Sequence, residues 1–207
     1  MSRNRLIAIL VLVVALAGAA GWAFWNYEAR WRPKTITRHQ MEIVRLLESS
    51  GWASPGLKGQ RLYVVSYQDC PECRRFQTEE FAGLHKKNVD TRVIQIARRD
   101  LNGAARSTPA ERAKVAQVWL THDWKLLQAG KAQGLPPADG DMARTAIVEA
   151  GRKMVDDLTP LMKDNGVKFA YPLLVWWDDK GRMRACACDK PETYRFVRKE
   201  LGARSGG

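Results

Sequence analysis

The chain has 207 residues, of which 45% are hydrophobic, and a formal net charge of +12. Its length fits one domain of ordinary size plus an appendage. The basic doublets (Arg74-Arg75, Lys86-Lys87, Arg98-Arg99) are scattered without interleaved aromatics. This pattern argues against nucleic acid as a partner and suits a basic domain beside anionic lipid.

After a short tail (1–5), residues 6–25 run from Leu6 to Trp25 without a charge. At helical rise the run spans about 30 Å, the thickness of a bilayer's hydrocarbon core. Trp22, Trp25, Tyr27 and Trp31 cluster at its far end as an interfacial belt. The segment is expected to be an uncleaved transmembrane anchor in contact with the lipid bilayer. The alternative is a signal peptide cut after Ala15-Leu16-Ala17 or Gly18-Ala19-Ala20, but apolar residues continue past both sites. Two arginines precede the span, and Arg30, Arg32, Lys34 and Arg38 follow it, a count that would keep the domain in the cytoplasm.

Residues 26–60 form a linker too short for a separate domain. Ile43, Leu46 and Leu47, with Met41 and Val44, predict an amphipathic helix ending near Gly51, and Ser54-Pro55-Gly56 predicts a turn.

The most informative stretch follows. Leu62 to Tyr67 reads as a buried strand, Cys70-Pro71-Glu72-Cys73 comes next, and Phe76, Phe81 and Leu84 have helical spacing. Cys70 is expected at the helix N-cap, where unpaired amides and the positive end of the dipole favour a thiolate. Pro71 suits the first helical position, and Cys73 lies one turn on. Arg74 and Arg75 favour the thiolate and Glu72 opposes it. Two cysteines at this spacing also occur as half of a zinc site or as a structural bridge. The strand–helix context favours redox chemistry, which in turn favours an oxidising compartment for the domain over the cytoplasm.

Thr91 to Ala97 alternates as a second strand, parallel to the first in a βαβ unit. From Thr108-Pro109 the pattern is helical, with Val115, Val118, Trp119 and Leu126 on one face, until Pro136-Pro137 breaks it. Another helix runs from about Asp141 towards Leu158, and Pro160 kinks or ends it. His39, His85 and His122 lack metal-ligand company and read as structural. Tyr171-Pro172 to Trp177 is a strand with proline at its start. Asp178 to Gly181 is a turn, Arg182 to Cys188 a return strand, and Pro191 to Leu201 a closing helix. A two-residue turn predicts that Pro172 faces Ala187, with Cys186 and Cys188 flanking it on one face of the strand. That second pair is a candidate partner in exchange with Cys70 and Cys73, a grip for a client cysteine, half of a four-thiolate metal site, or two packed free thiols.

Taken together, these stretches resemble the thioredoxin-fold disulfide oxidoreductases of the bacterial periplasm, and within them the DsbC/DsbG branch. The resemblance covers about residues 60–201. Its carriers are Tyr67 to Phe76, Ala116-Gln117-Val118-Trp119 with Asp123 and Gly130, Tyr171-Pro172, and Lys180-Gly181 to Leu201. It implies an α/β thioredoxin-like domain over 61–201 with a helical insert at about 102–165, behind one transmembrane helix and ahead of a flexible tail (202–207). It further implies catalytic Cys70 and Cys73, a substrate-binding Tyr171-Pro172 edge with a cis bond, no cofactor, and a periplasmic domain on the inner membrane. Cysteine-bearing client proteins and a membrane or periplasmic redox partner are the expected partners. Departures from the family are the absent N-terminal dimerisation domain, Tyr171 in place of threonine or valine, Leu120 where a cysteine stands beside the tryptophan, and the added Cys186-Ala187-Cys188. The expected activity is thiol–disulfide exchange as oxidant, reductant or isomerase. The rival readings are a zinc or copper protein using all four cysteines and a non-catalytic adaptor at the membrane.

Overall fold

The uncharged N-terminal run forms one helix, α1 (Arg3–Tyr27), long and apolar enough to cross a bilayer, a description that a signal sequence also meets. A 3-10 turn (Ala29–Trp31) follows, with the Trp31 indole donating to the Asn26 carbonyl at 2.7 Å. The computed structural model describes residues 3–130 and 134–201 and divides into two units, Met1–Arg32 and Pro33–Gly207. The tail expected over 202–207 and the first two residues of the N-terminal tail lie outside the described residues.

The second unit is built on a mixed five-stranded sheet. Strands β2 (Arg61–Tyr67) and β3 (Asp90–Ile96) are parallel, as the βαβ reading requires, and α3 (Pro71–Lys86) connects them. β4 (Leu173–Trp177) runs antiparallel to β2, and β5 (Met183–Ala187) antiparallel to β4. The two-residue β1 (Lys34–Thr35), which carries no apolar pattern of its own, pairs with β5, giving the order β1-β5-β4-β2-β3. Alternation along the strands divides the core into two clusters. Leu62, Val64, Val93, Leu174 and Trp176 pack with Phe76 and Leu84 of α3 and with Tyr194 and Val197 of α7 (Tyr194–Leu201). On the opposite face Tyr63, Val65, Ile94 and Val175 pack with Ile43 and Leu47 of α2 (Gln40–Glu48) and with Met154, Leu158 and Met162 of α6 (Met142–Asp164). The amphipathic helix between α1 and the sheet thus contributes directly to the core.

Between β3 and β4 lie α4 (Pro109–Thr121), α5 (Trp124–Gln128) and α6. The helix expected to run on to Leu126 is divided. His122 turns left-handed (φ 53°) to end α4, and the Asp123 carboxylate caps α5 by accepting from the Lys125 and Leu126 amides at 2.8 and 3.1 Å. Pro160 sits inside α6 without ending it. Trp119 pins α4 to the sheet: its indole donates to the Gln95 carbonyl at 2.8 Å, and its ring lies against Gly51 and Gly151.

The β4–β5 turn corrects the expected register. Gly181 adopts φ 73°, and the Asp178 amide donates to the Arg182 carbonyl at 3.0 Å, so the loop holds three residues rather than two. Every pairing shifts by one. Leu173 faces Ala187, Leu174 faces Cys186, and Cys188 rather than Ala187 stands opposite Pro172.

The buried Asp178 carboxylate fixes this loop by accepting from the Lys180 amide (3.0 Å), the Arg182 amide (2.9 Å) and the Arg182 Nε (2.8 Å). Burial pushes its pKa up, but those hydrogen bonds and the Arg182 charge outweigh burial and hold it below the ordinary value. A carboxyl held low adds stability above its unfolded pKa and loses it as pH falls through the folded one. Asp178→Ala should therefore cost about 1–2 kcal/mol at pH 7 and progressively less below about pH 4, read by guanidinium unfolding at both pH values. An equal loss at both would remove the ionised carboxylate from this account. At the Trp119 anchor, a Cβ on Gly51 would overlap the Trp119 Cγ and Cα. Gly51→Ala should thus destabilise the fold by about 1–3 kcal/mol in the same assay.

Candidate active site

β2 ends at Tyr67, the chain turns at Gln68-Asp69, and Cys70 becomes the N-cap of α3 with extended backbone (φ −76°, ψ 110°). Its sulfur accepts from the Cys73 amide at 3.1 Å, its amide donates to the Tyr67 carbonyl at 3.3 Å, and Pro71 opens the helix. The placement foreseen from the Cys-Pro-Glu-Cys motif is the one observed. Cys70 and Cys73 are joined as a disulfide with Cα atoms 5.2 Å apart, and their exposures are 0% and 1%. In this form both cysteines are covered.

The Tyr171–Pro172 bond is cis, and Pro172 is buried. Its carbonyl accepts the Cys188 amide at 2.9 Å, so that acceptor is occupied from within the chain. Tyr171 is held by rings: Tyr67 at 5.2 Å and Phe169 at 5.3 Å, both edge-on, with the Arg98 guanidinium 3.9 Å above Tyr67. Burial pushes the Tyr171 hydroxyl up to about 12, against the lowering effect of Arg106 and Arg98.

Cys186 and Cys188 form the second close pair, also 5.2 Å between Cα atoms, and both face the cluster that contains Phe76 and Tyr194. The shared face is the expected one. Arg75 links the two regions, donating to the Asp189 carbonyl at 2.8 Å and reaching the Tyr194 hydroxyl at 3.5 Å. Among the described residues no three His, Cys, Asp or Glu side chains are grouped to hold a metal ion, so the four cysteines do not make the metal site of the rival reading in this arrangement. Each pairs instead with its sequence neighbour. The histidines have local partners: His85 Nε2 lies 2.8 Å from Thr91 Oγ1, and His122 Nδ1 lies 2.6 Å from the Trp52 carbonyl.

Two residues of the site went unread in the sequence. Glu111 completes a reciprocal cap with Thr108, whose Oγ1 accepts the Glu111 amide at 3.1 Å, and its carboxyl also meets the Gln68 backbone, tying α4 to the turn before Cys70. Burial raises the Glu111 pKa, and those backbone bonds lower it in part. The Thr108-Pro109-Ala110-Glu111 spacing carries that signal, since Ser/Thr-x-x-Glu is the capping-box pattern. The second is Lys114, buried on α4. Nothing in its spacing marks it, because an isolated lysine on a helix ordinarily faces solvent.

The fold and site thus define a mixed α/β protein with a Cys-Pro-Glu-Cys pair capping a helix and a second cysteine pair opposite a cis-proline. No protein-family model and no curated protein matches the chain.

Non-reducing peptide mapping of the full chain, with thiols trapped by acid and alkylation, should recover the 70–73 and 186–188 bonds and no crossed pair. A dominant bond from Cys70 or Cys73 to Cys186 or Cys188 would contradict the arrangement described.

Proposed function

We propose that the chain is a membrane-tethered thiol–disulfide oxidoreductase of thioredoxin-like fold, acting on protein disulfides through Cys70 and Cys73. The observation that carries this reading is the Cys70 sulfur as N-cap of a sixteen-residue helix, accepting from the Cys73 amide. Unpaired amides and the helix dipole at that position favour negative charge on sulfur. The β2–α3–β3 unit, the adjoining antiparallel β4–β5 hairpin and the cis-proline at the start of β4 support the thioredoxin-like assignment and the likeness to the DsbC/DsbG branch.

In the oxidative direction a client thiolate attacks the Cys70 sulfur. A client–Cys70 bond forms, the Cys70–Cys73 bond breaks, and Cys73 leaves as a thiolate that takes up a proton. A second client thiolate then attacks the client sulfur of the mixed disulfide. The client leaves oxidised, and the enzyme holds the electron pair as a dithiol. Reduction and isomerisation use the same steps in other orders, with Cys73 as the resolving thiol. Tyr171 and Pro172 form the edge against which the client lies. Cys188, opposite Pro172, and Cys186, opposite Leu174, form a second pair that would exchange with the first or with a bound client. The anchor holds this chemistry at the bacterial inner membrane on the periplasmic side, where disulfides persist.

The test is Cys73→Ser in the full chain. A resolving thiol removed should leave mixed disulfides at Cys70, visible as adducts on non-reducing gels and mapped to the Cys70 peptide. Cys70→Ser/Cys73→Ser should show none. If Cys73→Ser forms no adduct under oxidising growth, the enzyme reading falls and the membrane adaptor remains.

A further inference from the structure

Behind the active-site helix lies a cavity of about 160 Å³, lined among others by Gln68, Asp69, Cys73, Gln95 and Lys114. That volume has room for several waters. Its walls are made to be wet, since the Gln68 and Gln95 Oε1 atoms are buried with no partner among the described residues. Lys114, 3% exposed, reaches the same space from α4. Its Nζ donates to the Leu127 carbonyl at 3.1 Å and to the Ala129 carbonyl. An ammonium has three donors, so among the described residues one is left for the cavity. A buried lysine beside a nearly closed cysteine and two unpaired acceptors is a costly arrangement that packing alone does not call for.

We infer that Lys114 is the charge that sets the proton affinity of the Cys73 sulfur, and that this cavity is the sulfur's proton route. The inference rests on the exchange chemistry proposed above and names a group that tunes it. When a client thiolate bonds to Cys70, the electron pair of the broken S–S bond goes to Cys73, and a thiolate appears on a buried residue beside the cavity. A cation across the cavity stabilises that charge, and cavity water delivers the proton that neutralises it. In the reverse step the Cys73 thiol gives its proton to the same water and attacks the client–Cys70 disulfide. Lys114 touches neither client nor bond, and so acts as a positioning charge.

Among the described residues, the other ionisable groups lining the cavity are Tyr67 from β2, Asp69 from the turn and Arg74 from α3. Glu111 lies one turn before Lys114 on α4. Burial pulls the Lys114 ammonium below its ordinary value, and the Asp69 charge opposes that pull. Asp69 thereby offsets part of the burial effect, while Arg74 adds a second positive charge.

The experiment uses the full chain in detergent, with Cys70→Ser leaving Cys73 as the free thiol. The pH dependence of Cys73 alkylation by iodoacetamide, assigned by peptide mass, gives its midpoint. Lys114→Gln and Lys114→Met should each raise that midpoint by about one unit. The Cys70 midpoint, measured in Cys73→Ser, should stay in place. An unchanged Cys73 midpoint, or equal movement of both cysteines, overturns the inference. Should the Lys114 variants fail to fold, the reduced unmutated chain decides. The Lys114 ¹³Cε resonance should show an inflection at the Cys73 midpoint, and a flat trace there overturns the inference. Neither measurement needs a client, so loss of the enzyme reading with the coupling intact, or the reverse, would be told apart.

Discussion

A single hydrogen bond, from the Cys73 amide to the Cys70 sulfur, fixes where β2 hands over to α3. It requires Cys70 to be extended and Cys73 to be helical, so both sulfurs stand at the positive end of a long helix. The parallel pairing of β2 with β3 then sets the direction of that helix across the sheet, and the antiparallel approach of β4 brings Pro172 to the same end. Arg75, one turn on, reaches the backbone just beyond Cys188. The positions of both cysteine pairs follow from that one handover.

Several arginines of this basic chain hold its own elements together. Arg92 donates to Asp90 at 3.0 Å, Glu48 at 2.9 Å and the Tyr63 hydroxyl at 2.8 Å, and lies 4.1 Å from the Trp52 ring. Arg152 holds the carbonyls of Ala97 and Arg98, both at 3.0 Å, and so ties α6 to the end of β3. The Arg98-Arg99 doublet is similarly engaged: Arg98 stacks on Tyr67, and Arg99 pairs with Asp156 and Glu149. Guanidinium groups suit this role because a planar, rigid fork of donors satisfies several acceptors at once. These arginines are staples of the fold, which is the physical reason their spacing lacks a nucleic-acid pattern.

What could be read from the sequence was local. The cap at Cys70, the parallel β2 and β3, the cap at Thr108 and the proline at the start of β4 all follow from residues a few positions apart. The register of the β4–β5 hairpin did not, because it hangs on Gly181 turning left-handed, and Asp178-Asp179-Lys180-Gly181 accommodates either loop length. One residue of slip moved Cys188 from beside the proline to opposite it. β1 was invisible for a different reason: two residues held by an existing edge carry no periodicity. Lys114 and Gln95 come from elements separated by the whole α4 approach, and only packing reveals that they share a cavity with Cys73.

On the proposed reading, the two electrostatic features act in the same direction. The N-terminus of α3 favours a thiolate at Cys70, and Lys114 favours one at Cys73, while the disulfide carries no charge for either to stabilise. Charges that lower the energy of the dithiol alone make its disulfide a stronger oxidant. Glu72 in the first turn works against this effect at Cys70, and Arg74 and Arg75 work in its favour. Burial of the pair removes water that would otherwise screen these charges, so their influence on sulfur is greater than it would be at an exposed site. On that reading the covering of Cys70 and Cys73 is compatible with exchange, because one lysine and one helix end act on a buried pair.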